Sequence, residues 1–330
     1  MQVSESKFTF LQAITNALEL EMQRNDRIVV MGEDVRIWGG VFGRFKGFKD
    51  KFGDNRVIDT PISEAGFVGV AVGAAATGLR PVVDLMFVDF FGVTADQIFN
   101  QAAKMKYMFG GKAKIPLVII TMIGGGLSAA AQHSQCLYST FAHIPGIKCV
   151  VPSTPYDAKG LLTQALRQDD PVMFFEHKFL HNSVEGSVPA ESYTIPFGKA
   201  DIKREGKDVT IVALARTVHQ SLEAAAELEK EGISVEVLDP RTIVPLDEDA
   251  IVNSVKKTGR LVIADEDYPR CGFATDVSAL VADRGFHYLD APIKMVTALN
   301  SPAPFSPVLE EVFLPSTERI IKAVHSTLGK

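Results

Sequence analysis

The stretch Asp59-Thr-Pro-Ile-Ser-Glu64-Ala-Gly66 decides how this chain is read. Pro61 fixes one backbone angle and removes a donor, so the short strand before it stops there. Ser63 stands where a helix cap belongs. The helix that follows, Phe67-Val-Gly-Val-Ala-Val-Gly-Ala-Ala-Ala-Thr-Gly78, has almost no side-chain bulk, so another backbone can approach it closely. Glu64 is the one ionisable side chain between Asp59 and Arg80. A carboxyl at the mouth of a greasy, tightly packed element can hold or share a proton near neutrality. The plainer account is an acid in the first turn of a helix, where the dipole favours it.

Working outward, apolar runs and helical periods alternate on both sides of this stretch. Towards the N-terminus, residues 7–24 place Phe8, Leu11, Ile14, Leu18 and Met22 at helical spacing. Arg27 to Met31 reads as a strand ending in Gly32-Glu33-Asp34. Ligands gather beyond the carboxyl ends of strands in open α/β sheets, although a simple turn also accounts for these acids. Residues 35–50 mix Gly39, Gly40, Gly43 and Gly47 with four cations and suggest a mobile surface loop or partner-facing lid.

Towards the C-terminus, Arg80-Pro-Val-Val-Asp-Leu-Met-Phe is a buried strand running into an aromatic cluster. There Phe90 or Phe91 could turn a flat face to a ring-shaped ligand, or simply fill the core. A helix is predicted over 95–108 and a strand over 115–121. The strand is followed by Gly124-Gly-Gly126 and Leu-Ser-Ala-Ala-Ala-Gln-His133. Little near His133 but the histidine itself could do chemistry, which makes it a candidate; a structural histidine is the alternative. Strands at 147–151 and 172–175 flank a helix capped by the Pro152–Asp157 turn.

This alternation predicts a parallel sheet covered on both faces, over residues 1–185. Residues 186–207 are polar and carry Gly and Pro, as a linker would. The alternation restarts over 208–330, so the expected fold class is α/β with two doubly wound domains. A length of 330 residues suits two domains.

Apolar content of 46% and charged content of 22% are those of a globular protein. A net charge of −6 argues against a general nucleic-acid binder. No apolar run reaches the roughly 18 residues of a membrane span. Cys136, Cys149 and Cys271 are widely separated and suggest neither a disulfide frame nor a zinc knuckle. The expected compartment is a reducing cytoplasm; a mature organelle protein shorn of its leader would look the same. No Gly-x-Gly-x-x-Gly follows a strand, and P-loop, His-Glu-x-x-His and Gly-x-Ser-x-Gly motifs are missing.

Several motifs, in order along essentially the whole chain, carry a resemblance: Met31-Gly-Glu-Asp34, Asp59-Thr-Pro-Ile-Ser-Glu64, Gly69-Val-Ala-Val-Gly73, Gln132-His-Ser-Gln135, Asp157-Ala-Lys-Gly160 and Arg241-Thr-Ile-Val-Pro-Leu-Asp247. The chain resembles the β-subunits of the thiamine-diphosphate-dependent dehydrogenase component of 2-oxo-acid and acetoin dehydrogenase complexes. Phe87-Val-Asp-Phe90, Tyr107-Met-Phe-Gly-Gly-Lys-Ala113 and Glu176-His-Lys178 are most similar to the acetoin branch. The resemblance implies a pyrimidine-type thiamine-diphosphate-binding domain followed by a transketolase C-terminal-type domain.

It also implies a role for each matching residue. Glu64 matches the glutamate that bonds a pyrimidine ring nitrogen of the cofactor. Phe90 matches the aromatic stacked on that ring, and Ile62 should line the same pocket. His133 matches the histidine turned towards substrate and the incoming lipoyl group. Leu117, Ala165, Gln168 and Asp170 match positions that often hold potassium, although the family often has Asp and Asn where this chain has Gln168 and Asp170.

The Gly-Asp-Gly segment with its following Asn, which holds the diphosphate through magnesium, has no counterpart here; Gly53-Asp54-Asn55 does not fit it. A separate α-subunit is therefore expected to bring magnesium and the diphosphate half-site, in an α2β2 tetramer that serves a dihydrolipoyl acyltransferase core. The implied reaction is cleavage of acetoin with transfer of the acetyl unit to lipoamide. The alternative is oxidative decarboxylation of pyruvate or a branched-chain 2-oxo acid.

Overall fold

The computed structural model describes residues 5–329. Two compact α/β units emerge, as the alternation predicts. One contains the residues up to Ile123 together with Thr140–Phe197; the other contains Gly124–Ser139 and the residues from Gly198 onward.

The first unit is built on strands β2 (Ile28–Gly32), β3 (Val57–Asp59), β4 (Arg80–Phe87), β5 (Val118–Ile123), β6 (Lys148–Val150) and β7 (Val172–His177). They run parallel in the order β6-β7-β5-β4-β2-β3. β2, β5 and β7 are buried along their whole length, which is why they read as unbroken apolar runs. A separate antiparallel pair joins β1 (Glu5–Thr9) to β8 (Glu185–Pro189), from Glu5 opposite Pro189 to Thr9 opposite Glu185. Thr9 then opens the helix Phe10–Arg24 with a reciprocal capping box to Gln12, and the helix buries Phe10, Ile14, Leu18 and Met22.

The helix Glu64–Ala76 buries Phe67, Val68, Ala71, Val72 and Ala75 and packs against β4 and the helical run that follows it. Gly69 makes that approach possible: a Cβ there would meet the Gln97 side-chain oxygen at 3.1 Å. The helical run extends from Phe91 to Met108 with a π-helical stretch at Gln97–Ala102, a distortion that period alone does not reveal. Phe91 enters an aromatic cluster with Phe99, Phe141 and Phe175, with centroids 5.2–6.0 Å apart. Thr154 caps the helix Pro155–Arg167 by accepting from the Asp157 N–H at 3.1 Å.

Two expectations change here. The 35–50 loop is fastened down, because Arg44 is buried and its guanidinium reaches Asp84 on β4 (3.1 Å) and Glu176 on β7. The 186–207 segment is not featureless. It contributes most of β8 and, in the second unit, β9 (Asp201–Arg204). Short edge strands leave little periodicity to read.

The second unit contains β10 (Val209–Ala213), β11 (Val235–Asp239), β12 (Thr242–Val244), β13 (Leu261–Ala264) and β14 (Lys294–Val296). Five strands form a sheet ordered β14-β13-β10-β11-β9, parallel except for β9 at the edge. The helices Arg216–Glu229 and Thr317–Thr327 cover it, with Val218, Ala225, Leu228, Ile320 and Val324 in its core. Two helices went unread in the sequence: Glu248–Thr258, and Pro307–Phe313 inside a turn-rich tail. Among the described residues, no helix is long and apolar enough to cross a membrane.

The Arg44 network carries two tests. Removing the guanidinium leaves two buried carboxylates without their cation, so Arg44→Ala should cost about 3–5 kcal/mol in denaturant unfolding. A cost below about 1 kcal/mol would show that the carboxylates find other partners. His181 lies in the same network, packed by Phe10 (centroids 6.4 Å apart, 19°) and Phe42 (5.1 Å, 80°). Burial first, then the charges of Arg44 and Lys178, push its pKa from the ordinary 6.5 down to about 3. The unfolded chain therefore binds a proton below 6.5 that the folded chain refuses, and stability falls as pH drops through that window. His181→Phe should remove roughly 1 kcal/mol of the stability loss between about pH 7 and about pH 5.5. Parallel pH–stability curves for the two proteins would contradict this.

Candidate active site

The parallel sheet of the first unit fixes where chemistry can sit. β2 and β3 end side by side, with Gly32 opposite Asp59, and the chain continues from both ends into acids. The Thr60 N–H donates to the Gly32 carbonyl at 3.0 Å. The Asp59 carboxylate accepts from the Arg36 backbone N–H at 2.5 Å, which ties the glycine-rich loop to the same edge. Pro61 then frees the chain from the sheet. Ile62 stands 84% exposed, and Glu64 opens the helix half-buried. Ser63 occupies the N-cap position without a capping side-chain bond, contrary to expectation. Its carbonyl, not its hydroxyl, takes the Phe67 N–H at 3.0 Å.

Glu33 is the residue that sequence reasoning passed over as part of a turn. Its Oε1 is buried without a hydrogen-bond partner among the described residues. Its pKa is raised, first by burial and then by the negative charges of Glu64, Asp34 and Asp84. Glu33 and Glu64 therefore repel each other across the neighbouring ends of their elements. In the sequence Glu33 stands just past a strand end, inside the motif Met31-Gly-Glu-Asp34.

Phe90 lies on the next strand over, in the 3₁₀ turn Val88–Phe90 that closes β4, half-buried with its ring 5.9 Å from that of Phe87 at 80°. Phe91 turns into the core cluster. Ile62, Glu64, Glu33 and Phe90 thus all belong to the first unit. His133 belongs to the segment 124–139 of the second unit, half-buried, with its N–H donating to the Ala130 carbonyl at 3.3 Å. That placement departs from the 1–185 division read in the sequence.

Two carboxyls near each other, one of raised pKa, an exposed aliphatic side chain and a half-buried aromatic suit a planar heterocycle whose ring nitrogen accepts a hydrogen bond, as thiamine diphosphate has. The residues expected to hold potassium fit less well. The carbonyls of Leu117 and Ala165 accept backbone N–H groups of Val172 (2.9 Å) and Gln168 (3.1 Å). The carbonyl of Gln168 takes the Arg80 guanidinium, and its side-chain oxygen takes Lys148 at 2.7 Å. Asp170 pairs with Lys106 at 2.5 Å and Lys148 at 3.3 Å. Three protein cations already serve these acceptors, and no step is assigned to a monovalent ion. Among the described residues, no cluster of three or more His, Cys, Asp or Glu side chains is placed to hold a metal.

Comparison with known proteins agrees with this geometry. Residues 6–182 match the family "Transketolase, pyrimidine binding domain", and residues 198–320 match "Transketolase, C-terminal domain". The chain is 54% identical over 330 residues to the acetoin:2,6-dichlorophenolindophenol oxidoreductase subunit beta of Bacillus subtilis (strain 168), covering 96% of each chain. It is 53% identical to the protein of the same description from Cupriavidus necator, covering 98% of each. The pyruvate dehydrogenase E1 component subunit beta of Bacillus subtilis is 44% identical, over 98% of this chain and 99% of that one. Among solved structures, a split gene transketolase, described as an inactive beta4 tetramer, superposes with a TM-score of 0.79 at 26% identity, covering 98% of this chain and 99% of that one. With both halves matched in order, the chain belongs to the transketolase-like family of thiamine-diphosphate-dependent dehydrogenase β-subunits.

Proposed function

We propose that this chain is the β-subunit of an acetoin dehydrogenase component, which cleaves acetoin and passes the acetyl unit to lipoamide on an acyltransferase core. The observation that carries the reading is Glu64 at the head of a bulk-free helix beside Glu33, whose carboxyl burial and the charge of Glu64 keep protonated above the ordinary range. The choice of acetoin over pyruvate rests on the relatives: 54% and 53% identity to the two acetoin-oxidising subunits against 44% to the pyruvate one.

Thiamine diphosphate, when bound, supplies a nucleophilic carbon that adds to a carbonyl and an electron sink for the bond cleaved beside it. The residues of this chain do the rest of their half of the work. Glu64 would hydrogen-bond a pyrimidine ring nitrogen through its carboxyl. Glu33, whose pKa burial and the charge of Glu64 raise, stands near it as a second acid. Phe90 and Ile62 orient the ring and exclude water from it. His133 faces substrate and stabilises charge or relays a proton as the acetyl unit leaves.

The diphosphate and its magnesium fall to an α-subunit in this reading, since the chain has no Gly-Asp-Gly segment followed by Asn. The helix Glu64–Ala76 leaves Gly66, Val70, Gly73 and Ala76 facing outward, a stripe with almost no bulk that suits close packing in an α2β2 assembly. In this reading the pyrimidine-type domain spans 1–185 apart from the 124–139 segment, the connection 186–207 carries most of β8 and all of β9, and the C-terminal domain spans 208–330; the chain works in the cytoplasm.

Glu64→Gln keeps the shape but cannot hold the proton in the same way. In the complex with its α-subunit it should lower acetoin-dependent reduction of 2,6-dichlorophenolindophenol at least about 100-fold with the tetramer intact. Unchanged turnover would leave a docking subunit as the better description. Wild-type complex should reduce the dye faster with acetoin than with pyruvate or a branched-chain 2-oxo acid, and the reverse order would move the chain to the other branch.

A further inference from the structure

The segment 124–139 follows β5, yet it clusters with the second unit. Its backbone is strained. Ser128, Ala130 and Leu137 adopt φ values of 51°, 61° and 52°, in the left-handed region that side chains disfavour. Such conformations persist only where the surroundings over-determine them, and they gather at functional sites. Within the segment, the Gly124 N–H donates to the Gln135 carbonyl at 3.0 Å and the His133 N–H to the Ala130 carbonyl at 3.3 Å.

Carboxylates of the second unit supply the constraint. One oxygen of Glu310 accepts the Gly126 N–H at 2.9 Å, and the other accepts the Ser128 N–H at 2.9 Å and the Ser128 hydroxyl at 3.4 Å. Glu266 accepts the Gly125 N–H at 2.5 Å. Beyond the histidine, the Tyr138 hydroxyl donates to Asp265 and the Ser139 hydroxyl to Asp267 at 3.0 Å. Asp265, Glu266 and Asp267 directly follow β13, and Glu310 sits on the helix Pro307–Phe313; all four are buried. The contact is close at Gly125, where a Cβ would lie 3.0 Å from Leu314 and 3.2 Å from Glu310 Oε1. Buried carboxylates accepting N–H and O–H bonds are the stronger class of hydrogen bond and fix direction as well as distance.

We infer that Glu310 and Glu266 on one side of His133, and Asp265 and Asp267 through Tyr138 and Ser139 on the other, are positioning residues for the histidine, so that the C-terminal domain sets the geometry of acyl transfer. The inference rests on the reading of His133 given above. Burial and the neighbouring Asp267 hold the Asp265 carboxyl above the ordinary range.

A double-mutant cycle in the α-subunit complex tests it. Glu310→Gln keeps the size of the side chain but weakens a two-oxygen acceptor. It should lower kcat for acetoin-dependent dye reduction about tenfold or more, leaving the Kd for thiamine diphosphate and the assembly state within twofold of wild type. In a His133→Ala background the same substitution should lower kcat less than twofold, because the group it positions is gone. Tyr138→Phe and Ser139→Ala give the same cycle from the other side should Glu310→Gln fail to fold. Equal losses with and without His133, or full turnover in the Glu310→Gln and Tyr138→Phe complexes, would overturn the clamp alone. Unchanged turnover in His133→Ala itself would overturn the reading of the histidine, and the clamp with it.

Discussion

A carboxyl group can leave water only by finding a cation, by accepting enough N–H and O–H bonds, or by keeping its proton. This chain uses all three solutions, each in a different place. Glu21 is fully buried on the first helix; burial pulls its pKa upward, yet bonds from Arg167, Arg24 and Ser192 win and hold it below the ordinary range. Asp84 and Glu176 share the buried Arg44. Those are structural answers, and the cation closes each question. Glu266 and Glu310 take the second route through backbone N–H groups. Glu33 moves towards the third, since burial and three neighbouring negative charges raise its pKa. Within the first unit, the acid kept without a cation lies where the geometry suits a cofactor ring.

What the sequence revealed, and what it hid, follows from the range of the interactions. β2, β5 and β7 are buried on both faces, so their apolar runs mark them regardless of partners. The helix Glu64–Ala76 was visible because absence of bulk over a dozen residues is a local property. β8 and β9 were not, since each is held by a strand distant in sequence and has little pattern of its own. Nor could the helix Pro307–Phe313 be seen behind its prolines, although Pro at the first turn is where helices tolerate it. Ser63 shows the opposite error: a residue of the right type at the right place whose hydroxyl makes no cap.

The candidate site divides along the same line. Glu64, Ile62, Phe90 and His133 could be named because each lies inside a short motif with its neighbours. Glu33 lies inside a quoted motif too, Met31-Gly-Glu-Asp34, but its weight comes from the charge of Glu64 on another element and from burial. The carboxylates around 124–139 were still further from view, since they lie at 265–267 and 310. A resemblance likewise carries over positions without their surroundings. Around Gln168 and Asp170 those surroundings are cationic, since Arg80, Lys106 and Lys148 reach them.

The helix Pro307–Phe313 brings these arguments together. Its Glu310 points inward and is nearly sealed from solvent, while Val308, Leu309 and Val312, with Phe305 just before, stand largely exposed. A short helix normally buries its apolar side and shows its charge to water. At position 310 the inversion has a physical reason on the inner side, because a carboxylate offers two oxygens to the two N–H groups and the hydroxyl that Gly126 and Ser128 present. An apolar residue at 310 would leave those donors without that acceptor, which costs more than an exposed valine does. Phe313 is buried and Glu311 exposed in the ordinary way, so the departure from amphipathicity at 310 is set by the loop that Glu310 holds.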